Sequence, residues 1–475
     1  MILPGKFTEE MDAFFSRHKD IPSEGFYESF DTPGRKGIRL STLKTDPDTR
    51  DEIVSALTGS VERVPWCSCG YYAPTDISNS NPYYHAGVYY PQEPSAMLPA
   101  EVIAARPGEV ILDMCAAPGG KACRIGEDMR GKGLLVANEI NYDRSKALLR
   151  NIERSGITGV VILNETPQNI ASRLPGFFDK ILIDAPCSGE GMFRRDPGAV
   201  RSYEEYGPSK IAPVQQEILD AADICLKEGG EIVYSTCTFC EDENEAGIRA
   251  FMDKHPGYEV IPHPEIEGVT SSAPSSLLQG SMRIWPHLNP GDGHFCVHLK
   301  KQGTRISTDL GQFIPRGLKA SGREGIESAR EFLRDILTDT ALARFKDRPF
   351  AVHGQSIFLI DFDEKLFRGL KTVKTGLYVG DFRKTGYKTV FTPSNSLALT
   401  LQREDIRPDS YLSLPHDSDG INRYLKGETI MIGEDASGLK SKGYIVVGTD
   451  DYPLGLAKAG GSMLKNLYPK AWRIV

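Results

Sequence analysis

Residues 178–191 read Phe178-Asp179-Lys180-Ile181-Leu182-Ile183-Asp184-Ala185-Pro186-Cys187-Ser188-Gly189-Glu190-Gly191. The apolar core Ile181-Leu182-Ile183 is short, β-branched at two positions and closed by turn formers. That is the pattern of a central strand in a parallel sheet. Asp184 and Cys187 then fall just beyond the strand's carboxyl end, in the crevice where open α/β sheets bind their ligands.

Working outward, strands and helices alternate from residue 109 onward. Strands are predicted at residues 110–112, 134–137, 160–163, 180–183, 231–235 and 294–299. Helices are predicted over 121–129, 143–154 and 213–226. Gly156 stops the second helix at a C′ position, and Pro213 sits near the start of the third. The alternation predicts an α/β domain with a parallel sheet covered by helices on both faces.

At 475 residues the chain exceeds one ordinary domain, and about three is the expectation. Apolar content of 40% and charged content of 25% are those of a globular protein. No run approaches the roughly 18 apolar residues of a membrane span. Met1-Ile2-Leu3-Pro4-Gly5-Lys6 lacks a signal-peptide core, so a cytoplasmic location is expected. Nine scattered cysteines, an odd number, argue for reduced thiols rather than a disulfide framework. The net charge of −8 means that any nucleic-acid contact must use local basic patches.

The flanks divide into an α+β unit at residues 1–100, a first C-terminal unit at 315–392 and a small β-rich unit at 397–475, around a central domain at 101–301. A polar stretch at 301–320 and a break at 393–396 mark the joints. Residues 9–18 are predicted helical and residues 37–44 a half-buried strand. Its outward Arg39 and Lys44 either touch phosphate or form a solvated face. Cys67 and Cys69 have a one-residue spacing and no second pair, which does not make a zinc site. Asn81-Pro82-Tyr83-Tyr84 is similar to the short motif of amine methyltransferases but follows no apolar strand, and reads as a polar loop with aromatic anchors.

The chemistry starts at Asp113-Met114-Cys115-Ala116-Ala117-Pro118-Gly119-Gly120-Lys121, where a strand runs into a loop of small residues and a helix opens. Such a loop admits a ligand close to the backbone, and the helix N-terminus favours an anionic group. Glu139 ends the next strand, where an acid can bind both hydroxyls of a ribose. Loop and acid together point to a nucleoside-bearing cofactor; a tight turn beside a surface acid is the alternative. Neither phosphate-binding fingerprint, G-x-G-x-x-G or G-x-x-x-x-G-K-[ST], is present. S-adenosylmethionine, with a ribose and a carboxylate but no phosphate, fits better than NAD or ATP. Cys187 and Cys237 end two different strands, and neighbouring parallel strands lie roughly 5 Å apart, so both sulfurs can reach one site. Two cysteines, an acid and a cofactor loop on one sheet edge suggest covalent catalysis on an electrophilic carbon. Cys225 and Cys296 read as inert. Cys240 forms a C-x-x-C with Cys237 that follows a late strand, unlike the thioredoxin motif.

The runs 115–121, 184–191 and Tyr234-Ser235-Thr236-Cys237-Thr238 resemble, in order, motifs of the Sun (NOL/NOP/Sun) family of RNA cytosine-5 methyltransferases. Residues 38–44, 90–99, 453–458 and 464–469 resemble a bacterial branch that acts on small-subunit (16S) ribosomal RNA. The resemblance implies a Rossmann-like class I S-adenosylmethionine-dependent domain, with an RNA-binding N-terminal domain and a PUA-like RNA-binding C-terminal module, acting as a monomer. By resemblance Cys237 is the nucleophile at C6 of cytosine, Cys187 assists release, Asp184 stabilises charge on the ring and Lys121 lies in the same pocket. Cofactor contacts fall by resemblance on Cys115, Ala116, Ala117, Pro118, Gly119, Gly120, Lys121, Glu139, Thr166 and Asp184. Thr166 stands where the family usually has an acid near the adenine ring, and Cys123 where Thr is common. Arg194, Arg195, Arg201 and Lys210 either hold the RNA backbone or form a solvated cluster. Transfer RNA or large-subunit RNA as substrate, an inactive RNA-binding assembly factor and an exocyclic-amine methyltransferase are the competing readings.

Overall fold

The computed structural model describes residues 1–475 apart from 75–76, 78, 272–277, 315–318, 432–437 and 475. Part of the expected joint at 301–320 therefore lies outside the described residues. The central sheet is built on six strands: β1 (Val110–Asp113), β2 (Leu134–Asn138), β3 (Val160–Leu163), β4 (Phe178–Asp184), β5 (Leu226–Thr236) and β6 (His294–Lys301). Their order is β6-β5-β4-β1-β2-β3, with β6 antiparallel to β5 and the rest parallel. Alternate residues serve opposite faces. Leu112, Val136, Val161, Ile181 and Ile183 pack into one core. Ile111, Leu135, Ala137, Ile162 and Leu182 pack into the other. Both faces are covered by helices, which is why these strands read as near-continuous apolar runs.

The sheet is longer than the pattern implied. Met282–Ile284 extends it beyond β6. At the far edge Thr372–Thr375, from the C-terminal half, pairs antiparallel with β3. β5 also begins earlier than expected, at Leu226, with Gly229 in a left-handed conformation where its ladder with β4 shifts register. The helix expected at 213–226 is the end of a longer one, Pro197–Cys225, broken at Gly207 (φ 28°, ψ 170°). Pro208 opens the second segment, where its missing N–H removes no helical bond, so Pro213 lies inside rather than near the start.

The N-terminal unit is the helix Gly5–Arg17 and a three-stranded antiparallel sheet with Lys36–Leu40 between Gly70–Ala73 and Tyr89–Pro91. Arg39 and Lys44 do not face outward. Arg39 is buried, ion-paired with Glu127 at 2.7 Å, and its guanidinium also donates to Gln92 Oε1 at 3.2 Å and to the Gly120 carbonyl at 3.3 Å. The buried Lys44 ammonium donates to the Ala86 carbonyl, and burial pulls its pKa down to about 7. The strand ends at Leu40, so Lys44 lies in the turn after it, and the Arg39 face assigned to solvent lies against the helix Gly120–Met129. Asn81-Pro82-Tyr83-Tyr84 is a helical turn capped by Asn81, with Tyr83 Oη donating to Asp450 at 2.6 Å in the C-terminal sheet.

Residues after 319 form the helices Ala320–Ile336 and Asp339–Lys346, a four-stranded antiparallel sheet and a five-stranded sheet. Residues 393–396 are buried. Phe332, Phe391, Leu397 and Val446, from both sides of that stretch, share one core. No helix among the described residues is long and apolar enough to cross a membrane.

Removing one partner of a buried ion pair leaves an uncompensated charge, a loss of roughly 3–5 kcal/mol. Arg39→Met is therefore expected to lower the urea midpoint sharply, and R39M/E127M together to lower it less than R39M alone. Equal midpoints for the two variants would show that the pair's charge balance is not what matters.

Candidate active site

A cavity of about 540 Å³ opens at the carboxyl ends of β1, β2, β4 and β5. Cys115, Glu139, Asp184, Cys187 and Cys237 are among the residues that line it.

One wall is the turn after β1. Cys115 and Ala117 face the cavity, while Ala116, Pro118, Gly119 and Gly120 complete the turn. Gly119 adopts φ +114°, open to glycine alone without strain, and precedes the helix Gly120–Met129. A side chain on Gly120 would press on Tyr90 Cε1 at 3.1 Å and on Gln92. The turn's carbonyls are tied down from outside, Ala117 O by Arg144 at 2.8 Å and Pro118 O by Asn151 at 2.8 Å. Glu139, just past the end of β2, is buried, accepts the Asn141 N–H at 2.8 Å and lies 3.4 Å from Arg144. Thr166 uses its hydroxyl to cap the helix Pro167–Arg173, accepting from Asn169 N at 3.2 Å, and the cavity wall beside it is Pro167 and Gln168.

The floor is Asp184 at the end of β4. Its Oδ2 accepts from Lys121 Nζ at 2.8 Å, its Oδ1 from Ser235 Oγ at 2.9 Å, and His294 Nε2 lies 3.6 Å away. Burial alone would raise the Asp184 pKa, but Lys121 and His294 outweigh it and hold the carboxyl well below the usual carboxylate range. Lys121 is correspondingly raised, against burial, by the same partner. His294 is lowered by burial despite Asp184, so it stands neutral at physiological pH. Asp113, one strand over and buried, is pushed up to about 8, first by burial and then by the Asp184 charge.

Above this floor the two sulfurs meet. Cys187 Sγ and Cys237 Sγ are 3.3 Å apart, on loops leaving adjacent parallel strands whose last paired residues are Asp184 and Ser235. The hydrogen bond to Cys237, then burial, push the Cys187 thiol well above its ordinary value, so it keeps its proton. The Cys187 loop curls back so that Gly191 N donates to the Cys237 carbonyl at 2.9 Å. A Cβ at Gly191 would come within 2.7 Å of that oxygen, so only glycine fits. Cys225 and Cys296 are fully buried in the two cores, away from the cavity. Cys240 does not line it.

Sequence reasoning missed Ser235, His294 and the buttress residues Arg144 and Asn151. Ser235 was legible in principle, since it pairs with Asp184 once β4 and β5 are neighbours. His294 had no such signal, because it opens an antiparallel strand whose place beside β5 the pattern did not reveal. Among the four basic residues after the Cys187 loop, Arg194 is not free for RNA. It is buried, with Nε 2.9 Å from Asp292 and Nη1 3.2 Å from the Ser29 carbonyl. Arg195 bonds the same acid at 2.5 Å; Arg201 and Lys210 are exposed. Cys67, Cys69 and Glu101 do cluster, their ligand atoms within 4.8 Å, but Arg124 donates to Glu101 at 2.9 Å and supplies the positive charge there.

Comparison with known proteins agrees with this geometry. A model described as 16S rRNA methyltransferase RsmB/F matches residues 100–300. Models of the RsmF N-terminal domain, first C-terminal domain and PUA domain match 3–94, 331–401 and 411–474. Ribosomal RNA small subunit methyltransferase F of Aeromonas salmonicida is 30% identical over 98% of this chain and 96% of its own. The chain belongs to the RsmF family of 16S ribosomal RNA methyltransferases. The Enterobacter sp. relative of the same name is 27% identical over 99% of this chain and 96% of its own. Among solved structures, a methyltransferase homologue from Pyrococcus horikoshii is 27% identical, with a TM-score of 0.51 over 63% of this chain and 100% of its own. NSun6 from the same organism, solved with the S-adenosylmethionine analogue SFG, shares the fold at 20% identity, with a TM-score of 0.52 over 64% of this chain and 99% of its own. The fold is thus the Rossmann-like one of S-adenosylmethionine-dependent methyltransferases, and S-adenosylmethionine is the cofactor of this RsmF family. The residues present fit it, with a turn of small residues at a helix N-terminus and a buried acid just past β2.

A carboxyl with a depressed pKa stabilises the fold above its unfolded value, roughly 3.9, and that contribution is lost as pH falls towards the folded value. In Lys121→Met the main counter-charge is gone and burial raises the Asp184 pKa instead. The penalty is then greatest near neutral pH and fades once the group is protonated in both states. Urea unfolding is expected to separate wild type from K121M more at about pH 7 than at about pH 4; a gap that widens on acidification would contradict the pairing.

Proposed function

We propose that this protein transfers a methyl group to C5 of a cytosine in 16S ribosomal RNA through a covalent bond between Cys237 and C6 of the base. The observation that carries the reading is the 3.3 Å approach of Cys187 and Cys237 over an ionised Asp184, at the mouth of a cofactor-type cavity.

Cytosine C5 is too weak a nucleophile to take a methyl group unaided. Addition of the Cys237 thiolate to C6 places an electron pair on C5 and makes it enamine-like. The carboxylate of Asp184 accepts hydrogen bonds from the exocyclic amino group and from the ring nitrogen, which takes up the proton that Cys237 gave up on ionising, and Lys121 balances its charge. The 115–121 turn would hold S-adenosylmethionine, with Glu139 at its ribose hydroxyls, and the bound cofactor would supply the electrophilic methyl group. Water takes up the C5 proton and the proton on the ring nitrogen, the C5 electron pair re-forms the double bond, and the C6–S bond breaks. Cys187, still a thiol, donates its S–H to the departing Cys237 sulfur.

A paired base cannot reach such a cavity, so the target cytosine is single-stranded or flipped out. The PUA module and the N-terminal unit are proposed to carry the RNA on either side, with residues 1–100, 101–301, 315–392 and 397–475 as the working divisions. The protein is proposed to act in the cytoplasm as a monomer.

Cys237→Ala is expected to abolish methyl transfer while leaving S-adenosylmethionine affinity nearly unchanged, read by a tritium-transfer assay beside a binding titration. Wild-type rates would end the nucleophile assignment. Cys187→Ala is expected to trap a protein–RNA adduct that survives denaturing electrophoresis, and its absence with a competent substrate would remove the release role. Bisulfite sequencing of ribosomal and transfer RNA from a deletion strain identifies the substrate: loss of a 16S position is expected, and loss in transfer or 23S RNA alone would refute the 16S reading.

A further inference from the structure

Behind the Cys187 loop lies a buried polar cluster that the mechanism above does not use. Glu190 and Glu243 are both buried, and among the described residues neither enters an ion pair. They meet at one hydroxyl. Ser188 Oγ lies 2.9 Å from Glu190 Oε1, in closer contact still with Glu243 Oε1, and 3.1 Å from Thr238 Oγ1. The other oxygen of Glu243 accepts from Ser188 N at 3.1 Å and from Gln215 Nε2 at 2.7 Å. Gln215 Nε2 also donates to the Pro186 carbonyl at 2.9 Å.

A proton count follows from these contacts. A serine hydroxyl has one hydrogen, so it donates to only one of the two carboxyls. The other would face an oxygen lone pair at 2.9 Å unless it carries a proton of its own. Glu190 is the one that does. Its second oxygen, Oε2, is buried without a hydrogen-bond partner, tolerable for a neutral acid and costly for an anion. Burial and then the Glu243 charge push Glu190 up to about 8, which agrees. The chain therefore runs from Glu190 O–H to Ser188 Oγ, and from Ser188 O–H to the carboxylate of Glu243, a charge-assisted bond. Both peptide groups that flank Cys187 are gripped by this arrangement. The one before it is held through the Pro186 carbonyl by Gln215, and the one after it through Ser188 N by Glu243.

We propose that Glu190 and Glu243 hold a single proton between them through Ser188, and that Glu243 is the positioning residue that keeps the Cys187 sulfur against the Cys237 sulfur. The consequence for product release rests on the role proposed above for Cys187; the positioning itself does not.

The test reads the sulfur–sulfur approach directly, on the full chain without RNA or cofactor. Diamide oxidises the two thiols to a disulfide, taking up the two protons and two electrons they release, and peptide mapping by mass spectrometry follows the Cys187–Cys237 bond. Glu243→Gln leaves one oxygen for the Ser188 and Gln215 N–H groups but removes the charge that strengthens both bonds and sets an N–H against the Ser188 hydroxyl, and is expected to slow closure at least about tenfold. Glu190→Gln, isosteric with the neutral acid, is expected to close within about twofold of wild type. S-adenosylmethionine affinity, measured alongside, is expected to stay unchanged in both. Glu243→Asp keeps the charge but withdraws the carboxylate from Ser188 N, and is expected to slow closure as E243Q does, which keeps the test decisive if E243Q fails to fold. Closure at the wild-type rate in E243Q, or in E243D where E243Q cannot be made, overturns the positioning role. An E190Q variant as slow as E243Q overturns the location of the proton. If C187A traps no adduct with RNA while E243Q still slows closure, the release role fails and the positioning stands.

Discussion

A carboxylate set into the end of a buried strand has to be compensated, and that requirement organises this molecule. An ionised acid in the interior is tolerated only when opposite charge and hydrogen bonds surround it. Asp184 obtains them from Lys121, on the helix that follows the turn after β1, and Ser235 on β5, with His294 at the start of β6 3.6 Å away. One charge therefore fixes the register of three strand ends and the position of a helix. Both reactive sulfurs leave from two of those strands, and the cofactor turn opens the helix that bears the lysine. The site's geometry is a by-product of solving an electrostatic problem.

The cofactor turn is held from behind by a second buried charge. Arg39 joins Glu127 and the Gly120 carbonyl, so the N-terminal sheet is part of the wall of the catalytic domain rather than an appendage. On the opposite edge Thr372–Thr375 extends the central sheet, and Lys374, buried beside Glu153 at 3.4 Å, closes it. Both flanking units thus contribute backbone or charge to the catalytic sheet. Their placement relative to the cavity is set by packing, which suits an enzyme that must present a large RNA to a small pocket.

What the chain disclosed in advance follows the same physics. Strands buried on both faces write themselves as apolar runs, so β1 to β5 were legible, and strand ends followed by Asp, Cys and small residues marked the site. Long-range choices were not. The alternation around Arg39 was right, but no local pattern says that the polar face of an edge sheet will be covered by a helix some eighty residues away. Likewise Arg194 reads as a surface cation until Asp292 arrives from a distant loop. Pro213 looked like a helix start because the break at Gly207, a single left-handed residue, carries no more signal than any other glycine.

The two cysteines, alike in sequence, are made different by what stands behind them. Cys187 backs onto the Glu243 carboxylate, which raises it after Cys237 itself and burial. Among the described residues no cation pairs with Glu243, and the Cys187 thiol keeps its proton. The cation of the site, Lys121, is raised by Asp184, by Asp113 and by the sulfur of Cys237. Positive charge is thus committed to the Asp184 side of the cavity, and negative charge to the Glu243 side behind Cys187. A pair of sulfurs in a symmetric environment would compete for the same proton and the same carbon. On the mechanism proposed above, this asymmetry is the form of preorganisation that would let one thiol bond to the base and the other let it go.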